Sequence, residues 1–127
     1  MIRFIISGQP VAKGRPRLGR GMVYTPAKTV AYEKVVALAA KAAMRGNTPP
    51  IIGPVSVDIK FFLARPKSNK STEPVVKPDI DNLAKSVCDA LNGIVWKDDS
   101  QIVHAKITKE WAVGRMSPCC IFEAIEL

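Results

Sequence analysis

Alternation of apolar and polar side chains is clearest in "VSVDIKFFLA", where Val55, Val57, Ile59 and Phe61 alternate with Ser56, Asp58 and Lys60. A period of two residues predicts a strand with one buried face. "IRFIISG" near the start, and "IVHAKITKEWAV" and "CCIFEAIEL" near the end, have similar β-branched and aromatic content and predict three more strands. In two other stretches the period lengthens to that of a helix. From Pro26 to Arg45, Ala31, Val35, Leu38, Ala39 and Ala42 share one face, while Glu33, Lys34, Lys41 and Arg45 fall elsewhere. Thr25-Pro26 reads as an N-cap followed by proline at the first helical position. In "KPDIDNLAKSVCDALNG", Leu83, Val87, Ala90 and Leu91 form the apolar stripe of a second helix. Asp81, Lys85, Asp89 and Asn92 lie opposite, and Gly93 stands where a C-terminal cap is needed.

The connecting segments complete the outline. "QPVAKGRPRLGRG" reads as a loop or hairpin, and "MVYT" as a short strand pairing back on the first. "GNTPPIIGP" ends the first helix, and residues 65–78, "RPKSNKSTEPVVKP", form a basic loop longer than an ordinary connector. The order β-β-α-β-α-β-β predicts a two-layer α+β fold, a mixed β-sheet with two helices, as one domain over residues 1–127.

Charge narrows the partner. Nineteen Lys and Arg against eleven Asp and Glu give a net charge of +8, which suits a polyanion, nucleic acid before membrane. No apolar run approaches the roughly 20 residues that span a bilayer. The first residues lack a secretory pattern, and Cys88, Cys119 and Cys120 show no metal or disulfide spacing, so reduced thiols in a cytoplasmic protein are expected. The glycines of "KGRPRLGRG" do not follow a strand and open a helix, so no nucleotide cofactor is expected.

Against that basic background, Asp79, Asp81, Asp89, Asp98 and Asp99 lie close together in the chain. Helix capping accounts for one carboxylate at the helix start, but not for a second, nor for the later "DD". Mg²⁺ prefers oxygen ligands and sits on a few carboxylates with water and phosphate completing its shell. From Asp81 to Asn92 a helix climbs roughly 17 Å. An extended return from Gly93 to Asp99 covers roughly 20 Å, so "GIVW" must run back nearly straight to bring "DDS" to the helix start. Lys85 lies one turn after Asp81; alone such a pair is usually a weak surface contact, but beside a metal-bound phosphate it would offset developing charge. Lys13, Arg15, Arg17, Arg20 and Lys28 on one side, and Arg65, Lys67, Lys70 and Lys77 on the other, are the candidate DNA-binding flanks. Trp96, Trp111 and Tyr24 are candidates for base stacking, with core packing the plainer reading for at least two, and His104 reads as an ordinary strand residue.

The run "KPDIDNLAKSVCDALNGIVWKDDSQI", together with "GQPVAKGRPR", resembles the RusA family of Holliday-junction resolvases. The resemblance implies that Asp79 and Asp81 are paired metal ligands, Asp99 the third and Lys85 the catalytic lysine, with Asp98 unassigned. It also implies a homodimer that cuts a four-way DNA junction by symmetric paired nicks with Mg²⁺, for which Mn²⁺ substitutes. The resulting expectation is a metal-dependent junction endonuclease, with Lys13, Arg15, Arg17 and Lys77 on the DNA. A flap or nonspecific DNA nuclease and a non-catalytic nucleic-acid-binding module are the alternatives.

Overall fold

The computed structural model describes residues 1–19, 21–45 and 48–127. Arg20 of the basic flank, and Gly46 and Asn47 of the stretch expected to end the first helix, lie outside them. The elements are β1 (Ile2–Ser7), β2 (Arg17–Gly19), β3 (Met22–Tyr24), α1 (Ala27–Ala43), β4 (Val55–Ala64), α2 (Ile80–Leu91), β5 (Ile102–Ala112) and β6 (Cys119–Glu126). The main sheet has the order β1-β6-β4-β5. Only β4 and β5 run parallel, and α2 lies in the crossover that a parallel pair requires. The order matches the expected α+β arrangement, with β2 as an additional short strand.

The alternation in β4 does what its period dictates: Val55, Val57, Ile59, Phe61 and Leu63 are all buried. The first four meet Phe4 and Ile6 of β1, Cys120, Phe122 and Ala124 of β6, and the inner faces of both helices. Phe122 is central, its ring 4.9 Å from Phe4 and 6.0 Å from Trp96. Each large side chain buried in this layer contributes roughly 1.5–3 kcal/mol of transfer free energy. On the opposite face of the sheet, Arg3 pairs with Glu123 at 3.0 Å and Ile5 is exposed.

Three local expectations are corrected. α1 is rotated from its expected phase: Thr29, Tyr32, Val36 and Ala40 are buried, while Ala31, Val35, Leu38 and Ala42 face outward, Leu38 being 68% exposed. Alanines supply little transfer energy, so Tyr32 and Val36 set the inward face. Second, "MVYT" does not pair with β1; β3 pairs antiparallel with β2, Leu18 opposite Val23, while β1 takes β6. Third, Pro26 rather than Thr25 occupies the N-cap of α1, and no side chain caps that end.

Candidate active site on the second helix

α2 begins at Ile80 with Asp79 as its N-cap, yet the Asp79 carboxylate makes no capping hydrogen bond. Asp81 follows in the first turn, and both residues are exposed. Among the described residues neither enters a side-chain hydrogen bond or ion pair, which leaves two carboxylates available to an external ligand. Lys85 is exposed one turn further along, and Lys77 is exposed two residues before Asp79.

The segment before β2 is docked against this helix by a series of short hydrogen bonds. The Lys13 amide donates to the Asn82 carbonyl at 2.8 Å, and the Ser86 hydroxyl to the Val11 carbonyl at 2.7 Å. From the α1 side, Thr29 Oγ1 accepts from the Gly14 amide at 3.0 Å and donates to the Ala12 carbonyl at 3.2 Å. Gly14 is required here, since a Cβ would lie 2.7 Å from Pro26 Cγ. These contacts bring "KGRPR" beside "DNLAK" and form a cleft of about 310 Å³ lined by Lys13, Gly14, Arg15, Pro16, Asn82 and Lys85. Arg15 and Lys85 are thus neighbours, and among the described residues no carboxylate lines the cleft. Arg17, exposed at the start of β2, lies outside it.

Lys13, expected on the DNA, is engaged within the protomer as well as lining the cleft. Its ammonium is held by Glu33 of α1 at 2.8 Å and Asp89 of α2 at 3.3 Å. Burial draws Lys13 down, but the hydrogen bonds and charges of Glu33 and Asp89 outweigh it and hold its pKa above the ordinary value. The residue clamps the two helices together through the loop.

The expected straight return of "GIVW" does not occur. Gly93, with φ +80°, turns the chain; its amide donates to the Trp96 carbonyl at 2.7 Å, and Trp96 Nε1 donates to Asn92 Oδ1 at 2.8 Å. The chain curls to bury Trp96, and Asp99 arrives beside Asp89, about 12 Å along the helix from Asp81. Desolvation, the Asp98 charge, and a hydrogen bond and repulsion from Asp89 push the Asp99 carboxyl upward, with Lys85 partly opposing them. Desolvation, and then the charges of Asp99 and Asp89, push the thiol of the half-buried Cys88 up to about 12, and it stays protonated.

Asp98, unassigned from sequence, caps the 3-10 turn Asp99–Gln101. Its carboxylate accepts from the Ser100 amide at 3.1 Å, and hydrogen bonding by the Ser100 side chain, then by its backbone, holds it below the ordinary carboxylate range. Gln101 completes the turn, accepting from the Asp98 amide at 3.0 Å and donating to the Ile51 and Gly53 carbonyls at 2.8 and 2.9 Å. The long basic loop is likewise anchored: Lys109 Nζ donates to the carbonyls of Val76 and Pro78, and Trp111 Nε1 to that of Ser71. Trp96 and Trp111 are buried and Tyr24 is half-exposed, in line with core packing for two of the three aromatics.

Asp79 and Asp81 are the hard oxygen donors that Mg²⁺ favours. Among the described residues, however, no group of three His, Cys, Asp or Glu side chains is placed to hold a metal within one protomer. Asp79 and Asp81 stand together, and Asp99 stands apart with Asp89.

A small α+β domain presenting paired carboxylates and a cationic cleft on one helix belongs to the class of proteins that handle polyanionic substrates. The family model for endodeoxyribonuclease RusA matches residues 7–116, and the chain belongs to that family. Membership places it among endodeoxyribonucleases that act on Holliday-junction DNA. The uncharacterized protein YqaN of Bacillus subtilis (strain 168) is similar to it, 41% identical over 124 residues, covering 85% of this chain and 86% of that protein. Among the described residues, no helix is long and apolar enough to cross a membrane.

Proposed function

We propose that this chain is a homodimeric, Mg²⁺-dependent, cytoplasmic endonuclease that resolves four-way DNA junctions by symmetric paired nicks during recombination and repair. The observation that carries the reading is the juxtaposition on α2: uncommitted Asp79 and Asp81 at its start, and a carboxylate-free cleft with Arg15 and Lys85 one turn on. DNA phosphates enter such a cleft by charge, and Arg15, Arg17 and Lys77 extend the contact.

Asp79 and Asp81 hold the cation, and a second copy supplies the third carboxylate, Asp99 of the partner subunit. The separation of Asp99 from Asp81 within one protomer supports this arrangement, and a C2 dimer would carry two equivalent sites for two related strands. Asp79 and Asp81 would hold Mg²⁺, or Mn²⁺ in its place, and the bound cation would supply Lewis-acid chemistry to the scissile phosphate and the attacking water. Lys85 faces the charge that builds on the phosphate as water displaces the 3′ oxygen in line, leaving a 5′-phosphate and a 3′-hydroxyl.

Cleavage of a synthetic four-way junction, a flap and a linear duplex of common sequence, with Mg²⁺ or EDTA, tests the reading. Paired nicks confined to the junction and dependent on the cation are expected. Equal cutting of all three would make it a nonspecific nuclease, and binding without cutting under either Mg²⁺ or Mn²⁺ would leave a binding module.

A further inference from the structure

We propose that the β2–β3 hairpin is a branch-point arm, placing apolar side chains against bases that a DNA junction leaves unstacked. The proposal rests on the junction-nuclease reading above and adds the element that would distinguish a branch from a duplex.

The hairpin displays apolar groups on both faces. Leu18 and Val23 oppose each other in register and are 81% and 66% exposed. On the other face Met22 is 66% exposed, and Tyr24 lies over Gly19, where a Cβ would come within 2.8 Å of its ring. A two-stranded ribbon this short has little stability of its own in water, and clustered exposed apolar groups mark a contact surface.

Charge identifies the partner as DNA rather than protein. Arg15 and Arg17 lead into the hairpin, Lys28 follows it, and no acidic residue precedes Glu33 in the chain. Cationic side chains on the segments flanking an apolar centre suit bases framed by phosphates. Apolar wedges that enter a duplex must first unstack a step, at a cost of a few kcal/mol. At a branch, stacking is already interrupted, so the same side chains gain contact at lower cost and favour the junction.

The arm also has a fixed base. Gly14 is locked by Thr29 and Pro26, and the chain passes directly from the Arg15–Lys85 cleft into β2. A base held by the hairpin therefore lies next to the phosphates held by the cleft.

The test uses the full chain with Leu18→Ser and Val23→Ser together, and Met22→Ser as a second variant on the other face. Each is titrated, with Ca²⁺ replacing Mg²⁺, onto a four-way junction carrying 2-aminopurine at the branch and onto a linear duplex. Wild type is expected to raise the fluorescence on binding. The double variant should bind the linear duplex as wild type does, lose most of the fluorescence rise, and lose about tenfold in preference for the junction. An unchanged melting temperature would show that the exposed substitutions leave the fold intact. Retention of both the signal and the preference by both variants would overturn the arm. So would equal weakening on both DNAs accompanied by a change in sedimentation, since the hairpin would then be a protein contact. A wild type that ignores junctions altogether would overturn the functional reading, and the arm with it.

Discussion

At the start of α2, Asp79 and Asp81 are exposed and uncommitted, whereas near its other end Asp89 is held by Lys13 at 3.3 Å and crowded by Asp99. The side chains are the same and their surroundings differ. Unpaired carboxylates beside a cationic cleft are open to a ligand. At the far end Asp89 is built into a clamp joining α1, the N-terminal loop and α2, and Lys85 partly offsets the carboxylate charge around Asp99. Within one protomer the acidic density of the sequence is therefore divided between the two ends of α2.

Substitutions at the two ends should separate those roles. The largest effect is expected from Asp81→Asn, which should reduce junction cleavage by about 10³-fold or more while leaving junction binding and the urea midpoint near wild type. A variant that still cuts would show that the helix start is not the metal site. Trp96→Ala empties a fully buried position and undoes the curl that delivers Asp99 to Asp89, so a loss of about 3–5 kcal/mol in urea unfolding is expected.

Lys13→Met should cost about 1–2 kcal/mol, between the values for exposed and buried ion pairs, because Glu33 and Asp89 lose their shared cation. The salt dependence of DNA binding should keep its slope in that variant, whereas Arg15→Gln should lower the slope by about one. A lower slope for Lys13→Met would return Lys13 to the DNA-contacting set.

The smallest effect on stability concerns Asp99. Its carboxyl holds a proton more readily in the folded chain than in the unfolded one, so its contribution to stability is greatest below the ordinary carboxylate range. That contribution is lost as pH rises through the raised folded value. Asp99→Asn should therefore raise stability slightly at neutral pH, by up to about 1 kcal/mol, while abolishing cleavage. A fall in the melting temperature would mean that Asp99 is a structural asset in the metal-free protein.

The sheet and α2 were legible because their patterns carry large side chains at a clean period: β4 alternates without interruption, and Leu83, Val87 and Leu91 can face only one way. α1 was not. Its alanines spread apolar character around the helix, and the deciding contacts are made by Tyr32, Val36 and the Thr29 hydroxyl. In the site, the carboxylates and Lys85 stood out by charge against a basic chain. The docking of residues 9–16 on α2 did not, because it is made largely through backbone carbonyls and amides that any residue could supply. The engagement of Lys13 left no signal either, since Glu33 lies on a different helix. The curl at Gly93–Trp96 was hidden for a further reason: chain length allowed an extended return, and the burial of Trp96 selected the compact one.

The central claim, that Asp79 and Asp81 of one protomer act with Asp99 of the partner subunit, is tested most directly by mixing two inactive variants. Asp81→Asn and Asp99→Asn protomers, each inactive alone, are unfolded together, refolded and assayed on a four-way junction with Mg²⁺. A mixed dimer with sites shared between protomers has one intact site, so single nicks should reappear without paired ones. No recovery of nicking, in a mixture shown to contain the mixed dimer, would contradict the shared site and place each set of ligands within one chain.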